Sequence, residues 1–266
     1  MTAIAITGAS GRVGREAIRA FPDDALTLFS HSESDDLETT TLEIEDRAAF
    51  AAGLADEDVL IHLAANADPR AEWDEVSGPN VEGVYNAFEA AAENGLERVV
   101  FASSNHAVNM GNTVSPIRPE STVGNPTAIR PDDPPAPDTY YGVTKVLGEA
   151  MGEYYADRTG IEVVSLRIGW LLSREELRAE CADRDGAGER YARAMWLSPE
   201  DCRRVLRRAA TCTLEASPVV AHGISRNADR FLSLTETMLA LGYRPRDDSS
   251  DVLDDEPDDR AGLETG

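Results

Sequence analysis

Lysine is almost absent from these 266 residues. Lys145 is the only one among 25 basic side chains, against 49 acids and a formal net charge of −24. That balance argues against a nucleic-acid surface, because phosphate backbones are held by clustered basic residues. Cysteine is scarce as well. Cys181, Cys202 and Cys212 have no metal-ligand spacing, and their odd number suits a reducing cytosol better than a disulfide framework. They read as small apolar fillers, and no metal site is expected. No apolar run is long enough to span a bilayer and no signal peptide is read, so a soluble, cytoplasmic protein is expected. Aromatics make up 6% of the chain. Few aromatics, abundant acid spread along the chain and almost no lysine suit concentrated salt, where screening tames self-repulsion.

The length suits one large α/β domain, with at most a small cap. Residues 3–7, Ala-Ile-Ala-Ile-Thr, read as a short buried strand running into Gly8-Ala-Ser10-Gly11-Arg12-Val13-Gly14. A helix follows, with apolar positions at Val13, Ala17, Ile18 and Phe21. Glycines at 8, 11 and 14 allow a tight turn, close approach of a pyrophosphate and close helix–strand packing. The helix N-terminus then offers amides to the phosphates. Residues 25–29 read as a second strand. At its end, where an acid usually selects NAD by holding the adenosine ribose, the chain has Ser30 and His31. The missing carboxylate admits NADP, whose extra phosphate Arg12 or Arg15 could meet. Glu33, Asp35 and Asp36 lie close enough to keep NAD open, so the cofactor is expected to be NAD or NADP.

Residues 41–44 read as a third strand, with Glu43 and Ile44 beside the adenine. Residues 58–64 form a continuous apolar run typical of a parallel strand covered on both faces. The run ends at Leu63, Ala64, Ala65 and Asn66, which would pass beneath the cofactor, and His62 within it reads as a satisfied core histidine. A helix is expected from Asn80 to Glu93, stopping at Asn94-Gly95. Residues 98–104 form a strand that ends in Ser104-Asn105-His106, at the strand end where ligands of open α/β sheets bind.

Tyr141-Gly-Val-Thr-Lys145 is the stretch that explains the one lysine. On a helix, a spacing of four puts phenol and ammonium on one face, and the ammonium favours the phenolate. The tyrosine pKa is therefore expected to fall, so that the phenol can serve as a base. By itself the pair is weak, since a surface pair has the same spacing. Between it and Ser104, residues 108–139 contain seven of the 14 prolines, which argues for a loop over the substrate. Residues 162–169 read as a further strand, with Arg167 paired inside the fold and Ile168 near the cofactor. A charged helical stretch at 173–193 is expected to break at Gly186-Ala-Gly188. Ser198 reads as an N-cap with Pro199 first in the helix and Asp201 bonding back. A last strand at 219–224, a last helix at 234–241 and a disordered acidic tail after Arg246 complete the chain. The fold class is thus α/β: a doubly wound parallel sheet (Rossmann) as a single domain over 1–245. Substrate-binding insertions are expected at 108–139 and 170–202, with a small C-terminal substrate-binding region.

The glycine turn after Thr7 and the set Ser104, Tyr141 and Lys145 resemble the extended short-chain dehydrogenases. Within them, Phe101-Ala-Ser-Ser-Asn-His-Ala-Val108, Ala194-Met-Trp-Leu-Ser-Pro-Glu-Asp-Cys202 and Gly223-Ile-Ser-Arg-Asn227 resemble uronate dehydrogenases and haloarchaeal NAD-dependent glucose-6-phosphate dehydrogenases. The resemblance implies oxidation of a sugar's ring carbon-1 hydroxyl to a lactone. It also implies roles: Tyr141 as base, Ser104 as polariser, and Lys145 on the nicotinamide ribose. Asn66, Asn105 and His106 would meet the sugar, and two copies would pair through the Asn80 and Tyr141 helices. Where uronate enzymes place a carboxylate-binding arginine, this chain has Tyr191, with Arg190 and Arg193 nearby as substitutes. Glucose 6-phosphate is the first substrate expected and a neutral aldose the second. Uronate oxidation, and nucleotide-sugar epimerase or dehydratase chemistry on the same fold, are the alternatives. A redox-sensing binding protein would leave Lys145 without a purpose.

Overall fold

The computed structural model describes residues 2–254. Its strands are β1 (Ala3–Thr7), β2 (Ala25–Ser30), β3 (Thr40–Thr41), β4 (Val59–His62), β5 (Arg98–Ser104), β6 (Glu162–Ile168), β7 (Trp170–Leu171), β8 (Trp196–Leu197) and β9 (Val219–Gly223). Seven of them form one sheet in the order β3-β2-β1-β4-β5-β6-β9, and every pairing in it is parallel. The strand order changes direction between β1 and β4, and a crevice opens at such a switch point above the carboxyl ends of the strands.

Successive strand residues face opposite sides, and both sides are apolar. Ile4, Ile6, Ile61, Val100 and Leu166 point into one core, against α1 (Arg12–Ala20) and later against α8 (Pro199–Thr211). Ala5, Leu60, Val99, Phe101 and Val163 point into the other. Helices α2 (Arg47–Gly53), α4 (Gly83–Asn94) and α5 (Tyr140–Thr159) cover that second face. Short α3 (Trp73–Ser77) runs into a π-helical turn, Gly78–Glu82, ahead of α4. The remaining helices are α6 (Arg174–Asp183), α7 (Gly186–Met195), α9 (Thr235–Leu241) and α10 (Ser249–Asp254).

Several expectations change. The third strand covers only 40–41, because β3 is an edge with one partner; Leu42 still donates its amide to Ser30 O (2.9 Å) before the chain turns away. The expected 80–93 helix starts in the π-helical turn. The break in the 173–193 segment falls at Arg184-Asp185, since the Asp185 carboxylate accepts Gly188 N (3.0 Å) and makes the glycines the first turn of α7. The 108–139 segment holds one 3-10 turn, Asn109–Asn112, and is tied down by backbone bonds from Ile129 N to Phe231 O and Thr122 N to Ala187 O. Ser198 Oγ does accept Asp201 N, at 3.0 Å, as an N-cap should. The Asp201 carboxylate, however, does not reach back to Ser198; it takes the amides of Arg246 (2.9 Å) and Asp247 (3.0 Å). That anchor orders the segment after Arg246 as far as α10, which packs on α6 and α7, against the expectation of disorder from 246 onward. The rest of that expected tail, 255–266, lies outside the described residues.

Candidate active site

A cleft of about 770 Å³ lies over the carboxyl ends of the strands. One wall is the glycine turn. Gly8 sits at φ +69°, a left-handed conformation open to glycine, and a Cβ there would meet Ala64 N at 2.9 Å. A Cβ on Gly14 would lie 2.2 Å from Gly8 O, so α1 can pack this close only without a side chain. Gly11 caps α1 with no side-chain bond and no acid follows in the first turn, which leaves the helix amides and dipole available to an anion. Thr7 braces this wall: its hydroxyl accepts Leu63 N (3.2 Å) and Ala64 N (3.3 Å) and bonds His62 Nδ1 (2.8 Å). These residues fit a dinucleotide's pyrophosphate.

The same cleft is lined by Ser10, Arg12, Val13, Ser30, His31, Glu43, Ile44, Leu63, Ala64, Ala65 and Ile168, as the sequence reading placed them. Their availability differs. Ser30 Oγ is consumed by Ser32 O (2.7 Å) and Thr39 Oγ1 (2.6 Å), so it is not free for a ribose. Arg12 donates to Glu176, and Arg15, outside the lining, grips Asp36 with two bonds of 2.7 and 2.9 Å. Neither arginine is an unpaired receiver for a second phosphate.

At the other end the chain brings Ser104, Tyr141 and Lys145 together. The N-terminus of α5 lies on the 3-10 turn Asn105–Ala107, so closely that a Cβ on Gly142 would meet His106 O at 2.3 Å. Thr139 caps the helix by accepting Gly142 N (2.9 Å). Tyr141 and Lys145, one turn apart, therefore face the end of β5, where the Ser104 hydroxyl accepts His106 N (3.2 Å) and donates to Asn105 Oδ1 (3.3 Å) close to the phenol. Both side chains are buried, and Lys145 Nζ lies 5.3 Å from the Tyr141 ring centre and 5.2 Å from that of Phe101.

The expected fall in the tyrosine pKa does not occur in this state. Burial pushes the phenol up to about 12, partly offset by the nearby Ser104 hydroxyl. Burial also pulls the Lys145 ammonium down to about 7. Desolvation dominates at both groups, so the phenol is neutral at pH 7 while the lysine lies close to its midpoint between ammonium and amine.

Around the substrate end, His106 Nδ1 meets the buried Asp138 carboxylate at 2.9 Å, and Nε2 meets Tyr191 Oη at 3.3 Å. Asn105 Nδ2 donates to the same phenol oxygen at 2.8 Å. Asn105, His106 and Tyr191 thus form one wall, with both histidine nitrogens already engaged. Asn66 lines the cleft too, but its amide is held by Glu75 O (3.2 Å) and Asp68 N (3.1 Å), and buried Asn80 clamps its backbone. Arg190 and Arg193 do not line the cleft. Arg190 Nε is spent on Thr122 O (3.0 Å) and Arg193 Nε on Asp229 (2.6 Å), because their faces of α7 turn away from it. Sequence reasoning missed Trp170 and Glu120 in the lining and Asp138 behind His106; nothing in their spacing points at the site.

Beneath the site, Arg167 makes two 2.8 Å bonds to Glu149, which also accepts from Ser103, the residue before Ser104. This is the buried pairing expected of Arg167. His62 differs from expectation in one respect: its Nε2 is buried with no partner, so the ring is only half satisfied.

Residues 4–184 match the NAD dependent epimerase/dehydratase family. The chain belongs to that family. An L-arabinose 1-dehydrogenase (NAD(P)(+)) of Haloferax volcanii is 48% identical over 96% of this chain and 100% of its own. An NAD-dependent glucose-6-phosphate dehydrogenase of the same organism is 32% identical over 97% and 98%. Among solved structures, a glucuronic acid dehydrogenase from Chromohalobacter salexigens superposes with a TM-score of 0.76 at 26% identity, covering 96% of this chain and 90% of that one. As a family member with this cleft, the protein is an enzyme that works with NAD or NADP. Among the described residues no helix is long and apolar enough to cross a membrane, and no cluster of side chains could hold a metal ion.

Proposed function

We propose that this protein oxidises the ring carbon-1 hydroxyl of an aldose to the lactone, with NAD or NADP as acceptor. The observation that carries the reading is the buried Tyr141 phenol, beside Ser104 and one turn from Lys145, in the cleft that also holds the glycine turn. The 48% relative named for L-arabinose makes that sugar the first to assay, ahead of glucose 6-phosphate. Gly8, Gly11 and Gly14 would hold the pyrophosphate, Ser30 to Ile44 the adenosine, and Leu63 to Ala65, Lys145 and Ile168 the nicotinamide half. A nicotinamide held there would supply the hydride acceptor for the sugar carbon.

The chain's own residues manage the proton. The Tyr141 phenol first releases its proton towards the Lys145 amine, and the resulting phenolate takes the proton of the sugar hydroxyl while Ser104 holds the same oxygen in line. Lys145, one turn along the helix and with a pKa pulled down to about 7 by burial, can take up the phenol's proton as the neutral amine and then stabilise the phenolate as ammonium. Walls of Trp170, Tyr191 and the apolar strand ends keep bulk water from the oxygen. Pairing of two copies through α4 and α5 belongs to the same proposal, supported by the exposed Tyr85, Tyr140, Leu147 and Tyr154 on those helices.

The test is absorbance of reduced cofactor in molar potassium chloride, offering L-arabinose, glucose, glucose 6-phosphate and glucuronate with each cofactor. Tyr141→Phe should lower kcat by at least about 10³-fold, beyond the usual span of a single proton-transfer group's lower limit. Cofactor binding should stay within about threefold. No rate with any of these sugars moves epimerase or dehydratase chemistry to the front.

A further inference from the structure

Among the described residues, Arg12 and Lys145 are the only arginine and lysine lining the cleft. Arg12 belongs to the glycine turn and is paired with Glu176, while Lys145 lies buried against Tyr141. At the sugar end the one lysine or arginine of the lining is thus Lys145, buried against Tyr141 and outside the Glu120 wall's own ion pairs. Glu120 faces that end from the proline-rich 108–139 segment, mostly buried with its side chain only 16% exposed. Its Oε2 is held from two sides, by Arg70 at 2.9 Å and Arg184 at 3.4 Å. Arg184 is committed further, to Glu180 (2.7 Å) and to the face of Trp170, whose ring centre lies 4.5 Å away. The rest of this wall, Asn105, His106, Tyr191 and Trp170, offers hydrogen bonds and aromatic faces without a free positive charge.

We infer that Glu120 makes the site select uncharged aldoses and reject sugars that carry a phosphate or carboxylate. A sugar anion entering here would lose its hydration, meet no free guanidinium or ammonium, and lie near a fixed carboxylate. The hydroxyls of a neutral sugar meet acceptors on Glu120 and donors and acceptors on the Asn105–His106–Tyr191 wall. The two arginines that could receive an anion are already neutralised by Glu120 itself. Removing its charge should both relieve the repulsion and release Arg70, while Arg184 stays on Glu180 and Trp170. This inference rests on the dehydrogenase reading above and sharpens its substrate class.

Glucose, glucose 6-phosphate and glucuronate share one ring and differ at carbon 6, which makes them a matched set. The wild-type enzyme should show kcat/KM for glucose about 100-fold or more above that for either anion, a discrimination typical of an unpaired buried charge. Glu120→Gln should shrink that ratio by about tenfold or more, mainly through a lower KM for the anions. Arg70→Gln, on an exposed side chain, should move the ratio the other way by about threefold, because it leaves Glu120 less neutralised. Wild-type turnover of either anion at least as good as that of glucose would overturn the inference while leaving the dehydrogenase reading intact. An unchanged ratio in folded, cofactor-binding Glu120→Gln, or a narrowed one in Arg70→Gln, would also overturn it. Absence of turnover with every sugar would instead sink the reading it rests on.

Discussion

Two histidines buried without charge should make the fold lose stability on mild acidification. His62 lies between Phe50 and Phe101, and burial with nearby Lys145 pulls its pKa down to about 3. His222 in β9 bonds Ser233 O at 2.9 Å, and burial pulls it down to about 4. In the unfolded chain both titrate near 6.5. Between the folded and unfolded values the unfolded chain binds more protons, so stability rises with pH across that window and falls as pH drops. The full contribution is present above 6.5 and lost progressively towards 3 to 4. Each histidine can lower stability by at most about 1.4 kcal/mol per pH unit. Going from pH 7 to 5, each should cost about 2 kcal/mol, or roughly 4 kcal/mol together. Lys145, held near 7 against 10.5 unfolded, acts only at higher pH, where raising pH from 7 to 10.5 stabilises the fold. Urea unfolding at fixed potassium chloride between pH 7 and 5 measures the slope. His222→Gln, which keeps a donor towards Ser233, should remove about half of it. Stability independent of pH over this range would refute the neutral burial of both rings.

Three further outcomes follow from the site. Gly14→Ala places a methyl 2.2 Å from Gly8 O and 2.6 Å from Ala9 O, so the turn must open; reduced-cofactor affinity, read by fluorescence titration, should fall about tenfold or more. Arg167→Met strands the buried Glu149 carboxylate beneath Ser103 and should cost on the order of 3–5 kcal/mol in urea unfolding, much of it recovered when Glu149→Gln is added. A loss under about 1 kcal/mol would show that the pair is not the strap it looks like. Asp36→Asn frees Arg15 from its two-bond grip, and the kcat/KM ratio of NADP to NAD should rise several-fold; an unchanged ratio would place Arg15 out of reach of the ribose.

Much of the site could be read without a structure because its parts are local. A strand, three glycines at a spacing of three and a helix start lie within a dozen residues, so backbone geometry alone assigns the turn. Tyr141 and Lys145 share a helix face by periodicity, and Ser104 ends a strand whose apolar run is visible in the letters. The charged segment around Arg190 and Arg193 misled for the same reason. Composition shows that arginines are present, but only the rotation of α7 decides that they bond Thr122 and Asp229 instead of a ligand.

What the sequence determined by itself was the doubly wound sheet, the glycine turn and the placing of Tyr141 and Lys145 on one helix face, since hydrophobic period and short spacings encode them directly. The tertiary structure alone decided the rest. Burial, a sum over distant neighbours, turned the expected fall of the Tyr141 pKa into a rise. Contacts across large sequence gaps joined Asp138 to His106 and joined Glu120 to Arg70 and Arg184. Asp201, legible only as part of a cap, became the anchor that orders 246–247 because the C-terminal chain happens to pass its carboxylate. Charge and hydrogen-bond availability depend on which partners the fold brings within 3 Å or so, and no local pattern carries that information.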